Sequence, residues 1–157
     1  DKDAPQACLM LAEAACFYKA QGKTLVDVLD GLYDELGTYQ ESQTSITLAG
    51  KEGAERIKEI IATFRNEAPK EIGGLKVIAS EDYGCLKRYE NGSEQALIGF
   101  TKSDVLKFYL EDGSWIAVRP SGTEPKCKFY YCVRGTSKEN AKEKTEILQA
   151  AMKKAIE

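Results

Sequence analysis

The sequence predicts an α+β fold, an antiparallel or mixed sheet with helices packed on one face, preceded by a helical hairpin. Three observations carry that prediction. Apolar helical repeats fill residues 4–36, strand-like alternation runs through 105–133 between short Gly- and Pro-bearing turns, and helical repeats at 51–65 and 138–156 bracket the strands.

Residues 4–21 read as a helix rich in Ala, Leu, Met and Glu, with Leu9, Ala12, Cys16 and Ala20 in one row and Met10, Ala14 and Phe17 in another. Asp3, ahead of Pro5, supplies the N-terminal cap, and Gly22 the stop. Thr24 starts a second helix with Leu25, Val28, Leu29, Leu32 and Leu36 on one face and Gly37 at its end. So apolar a pair wants a further surface to lie on. At Tyr39 the texture turns to Ser, Thr and Gln, which sets a boundary between a helical piece, 1–38, and a domain, 39–157.

Within that domain Ile46–Leu48 is a short strand. Residues 51–65 form a helix whose face is Ala54, Ile57, Ile60, Ile61 and Phe64, closed before Pro69. Gly73-Gly74 turns the chain into a strand, Leu75–Ala79, and the stretch Tyr83–Phe100 is weakly patterned around an Asn91-Gly92 turn. Val105–Leu110 and Ser114–Val118 are strands joined at Asp112-Gly113, and Cys127–Val133 is a half-buried strand. A last helix, Lys138–Ile156, is capped by Thr136 or Ser137 and buries Ala141, Thr145, Leu148, Met152 and Ala155.

Composition narrows the chemistry. Apolar residues at 43% and charged residues at 30% describe an ordinary globular chain. No apolar run reaches the roughly 18 residues of a membrane span, and the N-terminus lacks a signal-peptide pattern, so no membrane partner is expected. A net charge of -3 gives no general attraction to nucleic acid. Five isolated cysteines fit reduced, mostly buried thiols and a cytoplasmic location. The absence of histidine removes His-based triads, acid/base pairs and metal sites from this sequence. Asp1-Lys2-Asp3 offers two carboxylates but no third ligand, so it reads as a helix start.

Between the last two strands lies Arg119-Pro120-Ser121-Gly122-Thr123-Glu124-Pro125-Lys126, more chemistry than a hairpin turn requires. Arg119 presents a planar fork of donors suited to two phosphate oxygens. Ser121 and Thr123 add hydroxyls, and Gly122 can take positive φ and turn amides inward as an anion nest. Pro120 and Pro125 stiffen the turn on either side. On residue types alone a rigid hairpin with Arg119 in a surface ion pair stays open beside the phosphate reading.

That string, preceded by Asp112-Gly113-Ser114-Trp115 and by Lys102-Ser103-Asp104-Val105-Leu106-Lys107, resembles the C-terminal domain of the α-D-phosphohexomutases, the phosphoglucomutase and phosphomannomutase family. Asp1-Lys2-Asp3-Ala4 and Gly22-Lys23-Thr24-Leu25 resemble the tail of the preceding domain in bacterial phosphoglucomutases. The resemblance implies a TATA-box-binding-protein-like fold and a four-domain enzyme that interconverts hexose 1- and 6-phosphates through a sugar bisphosphate and an enzyme phosphoserine. It makes residues 1–38 a remnant of the third domain. Arg119, Ser121, Gly122 and Thr123 would contact the phosphate that is not being transferred, while Pro120, Glu124, Pro125 and Lys126 shape the loop and Trp115 packs in the sheet. It implies a hexose phosphate substrate, the other three domains as partners, and Mg²⁺ with a sugar bisphosphate as cofactors of the whole enzyme. The nucleophile and metal loop belong to those other domains, so the chain alone is expected to bind and not to catalyse, with no cofactor of its own. The rival is a non-catalytic nucleic-acid- or protein-binding module stacking its partner on Phe129, Tyr130 and Tyr131; alternation puts Phe129 and Tyr131 on the core face instead.

Overall fold

A computed structural model describes residues 3–122 and 124–156. The chain divides into two compact units, Asp1–Thr38 and Tyr39–Glu157.

The first unit holds α1, Ala4–Lys19, and α2, Leu25–Leu36. The Asp3 carboxylate accepts the Gln6 amide at 3.0 Å and caps α1; Asp1 and Lys2 lie outside the described residues. The helix ends at Lys19 with Ala20 as its cap, and Gly22, at φ +76, serves the turn beyond it. Thr24 and Asp27 form a reciprocal capping box, the Thr24 amide reaching Asp27 Oδ2 at 2.7 Å and the Asp27 amide reaching Thr24 Oγ1 at 3.1 Å. Neither helix buries a residue, and Leu9 is 70% exposed.

In the second unit the elements are β1 (Thr38–Thr47), α3 (Gly50–Asn66), β2 (Glu71–Ile72), β3 (Leu75–Asp82), β4 (Lys87–Glu90), β5 (Ser93–Ala96), β6 (Leu106–Leu110), β7 (Trp115–Pro120), β8 (Lys126–Gly135) and α4 (Lys138–Lys154). One sheet takes the order β1-β8-β7-β6-β3-β4-β5, with β2 paired to β3, so the predicted α+β class holds. Three local expectations change. The strand expected at Ile46–Leu48 begins at Thr38, because the polar stretch has an inward face: Thr44 bonds Tyr131 Oη at 3.2 Å, and Ser42 Oγ accepts Gln149 Nε2 at 3.0 Å. The weakly patterned stretch holds a hairpin, β4–β5, turned by Asn91 (φ +50) and Gly92 (φ +77). Ala155 lies beyond the end of α4 and is exposed.

Alternation decides the core. Leu106, Phe108 and Leu110 of β6, Ile116 and Val118 of β7, and Cys127, Phe129, Tyr131 and Val133 of β8 point to one face. There they meet Ile57, Ile60, Ile61 and Phe64 of α3 and Leu148 and Met152 of α4. Each such side chain contributes about 1.5–3 kcal/mol when fully buried. Close backbone approaches near the start of each helix require two glycines. A Cβ on Gly53 would stand 2.2 Å from the Leu48 carbonyl oxygen, and one on Gly135 2.6 Å from the Ala141 amide nitrogen. The thiols Cys127 and Cys132 are buried, but Cys8, Cys16 and Cys85 are exposed, against the expectation of mostly buried cysteines.

Among the described residues no helix of this unit covers the other face. The strand registers lay out its rows: Tyr130, Ala117, Lys107, Glu81, Arg88 and Gln95 in one, and Cys132, Trp115, Tyr109, Ala79, Glu90 and Ser93 in the next. At its centre the buried Glu81 accepts hydrogen bonds from Tyr83 Oη (2.8 Å), Tyr109 Oη (2.9 Å) and Arg88 Nη1 (2.7 Å). Burial pushes the Glu81 carboxyl up, but bonds from Tyr83, Arg88 and Tyr109 outweigh it and hold the group below the usual glutamate range. Burial, and then the bond to Glu81, push the Tyr109 hydroxyl up to about 12. Lys107 Nζ sits 4.1 Å from the Trp115 ring centroid and 4.7 Å from that of Tyr109.

Candidate functional site

The turn between β7 and β8 stands on strands anchored in the core, with Val118 and Cys127 wholly buried on either side of it. Pro120 pairs with Cys127, and the Ser121 amide closes the hairpin on the Lys126 carbonyl at 2.7 Å. Inside the turn the Glu124 amide donates to Ser121 Oγ at 3.3 Å and the Lys126 amide to the Glu124 carbonyl at 2.7 Å. A further bond runs from the Leu48 amide to the Pro125 carbonyl at 3.0 Å, tying the turn to the chain just ahead of α3. Backbone bonds on both flanks fix the turn at the sheet's end.

Arg119 is exposed, and among the described residues its guanidinium makes no hydrogen bond or ion pair. The open alternative of a surface ion pair is therefore not realised here. Ser121 and Gly122 stand in the turn beside it; Thr123, the fourth predicted contact, lies outside the described residues. Gly122 corrects one expectation. Its φ is outside the left-handed region, so the nest expected from a positive φ at this residue does not form. A Cβ there would meet nothing within 4 Å. Neither backbone strain nor packing in this structure requires glycine at 122. What its bareness provides is unobstructed access to the main chain from outside.

Sequence reasoning missed Lys128. It is the register partner of Arg119 on β8, and both side chains lie on the face away from α3 and α4. Lys128 too has no hydrogen-bond or ion-pair partner among the described residues. Like charges directly opposite each other on neighbouring strands repel, and here no carboxylate intervenes. The sequence carried no signal for it, because the pairing of Arg119 with Lys128 is set by the strand register across the turn.

The two sides of the turn differ in charge. On the α3 side lies a depression of about 390 Å³ whose wall includes Lys58, Asp104 and Glu124. Asp104 is held there by Arg65 Nη2 at 2.7 Å, and the same guanidinium bonds the buried Asp82 through Nε at 2.8 Å. With Asp104 paired to Arg65, Glu124 and Lys58 nearly balance there, and Ser121 and Gly122 of the turn also line the depression, so it lacks the net positive charge of the other side. The side bearing Arg119 and Lys128 has the sign an anion needs. Phe129 and Tyr131, each 2% exposed, are core residues and offer no stacking surface.

A family model described as phosphoglucomutase/phosphomannomutase, C-terminal domain, matches residues 49–150. The chain belongs to this family. The resemblance read from the Arg119–Lys126 string is thus confirmed. A phosphoglucomutase of Staphylococcus haemolyticus strain JCSC1435 is 40% identical over 131 residues, which is 83% of this chain and 24% of that protein. One from Staphylococcus aureus strain bovine RF122 / ET3-1 is 40% identical over 135 residues, 85% of this chain and again 24% of the relative. The chain therefore spans about a quarter of the length of these phosphoglucomutases. Its fold is similar to the open-form crystal structure of pp63/parafusin, an exocytosis-sensitive phosphoprotein and phosphoglucomutase from Paramecium, at a TM-score of 0.53 and 17% identity over 88% of this chain and 24% of that one. No helix among the described residues is long and apolar enough to cross a membrane.

Proposed function

We propose that this phosphoglucomutase/phosphomannomutase C-terminal domain grips the phosphate of a hexose phosphate that is not being transferred. The observation that carries the reading is the unpaired Arg119–Lys128 couple on one face of a turn pinned by backbone bonds. Arg119, Ser121, Gly122 and Thr123 contact the phosphate; Pro120, Glu124, Pro125 and Lys126 hold the turn's shape. An anion between Arg119 and Lys128 turns their mutual repulsion into two attractions. Each charge-assisted bond contributes about 1.5–3 kcal/mol, so a few of them give specific yet reversible binding.

The whole enzyme interconverts hexose 1- and 6-phosphates through a sugar bisphosphate, so the grip must accept a phosphate on either carbon. Donors that read only phosphate oxygens suit that duty. Among the described residues no group of three His, Cys, Asp or Glu stands where a metal ion could be held. The Mg²⁺ and phosphoserine of such an enzyme belong to its other domains, and this chain supplies positioning. Residues 1–38 are the tail of the preceding, third domain, whose exposed Leu9, Met10, Phe17 and Leu36 suit packing within it. Free thiols at all five cysteines suit a reducing, cytoplasmic setting.

An amide-resolved NMR titration of the 157-residue chain with glucose 6-phosphate tests this. Shifts are expected at Ser121, Gly122 and Lys128, and their loss in Arg119→Ala with the remaining spectrum preserved. Undiminished shifts in that variant would overturn the assignment.

A further inference from the structure

Beside the two cations lies one aromatic ring unlike the others on the same face. Trp115 is covered by Lys107, and Tyr109 by Lys107 and Arg88. Tyr130 has no such cover: among the described residues its ring meets no cation or second ring, and its hydroxyl makes no hydrogen bond. Its partner on β7 is Ala117, too small to shield it, and β1 runs along its other side. It is half-buried, so the ring has an accessible side.

Its position relative to the cations follows from sheet geometry. Tyr130 is two residues along β8 from Lys128 and lies on the same face, which separates their Cα atoms by roughly 7 Å. Arg119 and Lys128 stand about 5 Å apart across the strands. An anion seated between them therefore has an open aromatic ring one sheet row away, about the span of one six-membered sugar.

We propose that Tyr130 is a platform for the hexose ring of the bound sugar phosphate, a specificity-determining residue that favours phosphosugars over free phosphate. The inference rests on the phosphate grip described above. A pyranose presents aliphatic C–H groups on its faces, and these pack against the apolar face of a phenol ring. Such a contact reads the presence of the ring and not its pattern of hydroxyls. It therefore serves a sugar bound through either of its two phosphates, which hydrogen bonds to particular hydroxyls would not.

The experiment compares inorganic phosphate with glucose 6-phosphate and glucose 1-phosphate on the 157-residue chain, read by the fluorescence of Trp115, the only tryptophan, and by amide shifts. Both sugar phosphates are expected to bind about fivefold more tightly than inorganic phosphate, the worth of roughly 40 Å² of apolar area removed from water. Tyr130→Ala should abolish that surplus while leaving inorganic phosphate affinity unchanged, and Tyr130→Phe should keep it. In the unaltered chain, nuclear Overhauser contacts should join the Tyr130 ring protons to sugar C–H protons. A surplus that survives Tyr130→Ala, or saturable sugar-phosphate binding without those contacts, overturns the platform and leaves the phosphate grip standing. Absence of saturable phosphate binding in the unaltered chain overturns both.

Discussion

Replacing Arg119 by alanine should move binding and stability in opposite directions. The guanidinium is exposed and holds nothing in the fold among the described residues, while Lys128 stands directly across from it. Two unit charges about 6 Å apart in water repel by roughly 0.7 kcal/mol, and physiological salt halves that or more. Without ligand, Arg119→Ala should thus be as stable as the parent or a few tenths of a kcal/mol more stable. With phosphate the order reverses. A ligand at 100 times its dissociation constant stabilises the folded state by about 2.7 kcal/mol. The variant, lacking the bidentate donor, should lose most of that gain. Urea melts followed through Trp115 report the second unit alone, which matters because two units need not unfold together. A ligand-free loss above about 1 kcal/mol would show that Arg119 has a structural partner, and the reasoning from an unpaired couple would fail.

Two glycines offer a contrast and one carboxylate a pH test. Gly135→Ala places a Cβ within 2.7 Å of the Ala141 backbone and should cost about 1–3 kcal/mol in a urea melt, whereas Gly122→Ala meets nothing and should weaken phosphate binding with the melt unchanged. Glu81 is held below its ordinary value of 4.5, so its contribution is complete above that pH and is lost as pH falls through the lowered folded value. Glu81→Gln should destabilise by about 1–3 kcal/mol at pH 7, since it removes the charge from a buried hydrogen-bonded acceptor. It should also lose less stability than the parent between pH 5 and roughly pH 3, and equal losses in melts across that range would rule out the network as a source of acid sensitivity.

How far the sequence could be read depended on what each segment packs against. β6, β7 and β8 were legible because one face is wholly apolar and the other carries Lys107, Arg119 and Lys128 among mixed residues, a period of two that no helix shares. The α2 start was legible because Thr24 and Asp27 carry the capping box in their own side chains. β4 and β5 were not. Lys-Arg-Tyr-Glu and Ser-Glu-Gln-Ala lack an apolar face, and only Asn91-Gly92 announced the hairpin. β1 hid for a different reason, since its inward residues Ser42 and Thr44 meet the fold through hydrogen bonds. In the site, the Arg119–Lys126 string stood out by its chemistry. Lys128 did not, because its meaning depends on its register partner and not on its neighbours in sequence. The shape of the turn around Gly122 was likewise beyond reach, as permission for positive φ does not oblige a glycine to use it.

The sheet also has two ends. β1 and β5 close the strand order, and each end strand of such a ladder carries backbone donors and acceptors that another chain could extend. Both ends are poor templates for that. β5 has four residues, all exposed, and its Glu94 is engaged by Lys87 at 2.7 Å. β1 is longer, but Gln40, Glu41, Gln43 and Ser45 give it an exposed polar edge with no apolar stretch for a copy to adhere to. The features that concealed these strands from pattern reading also keep one molecule from growing onto the next. For a sheet whose strand order is open at both ends, that guard against edge pairing matters as much as the core.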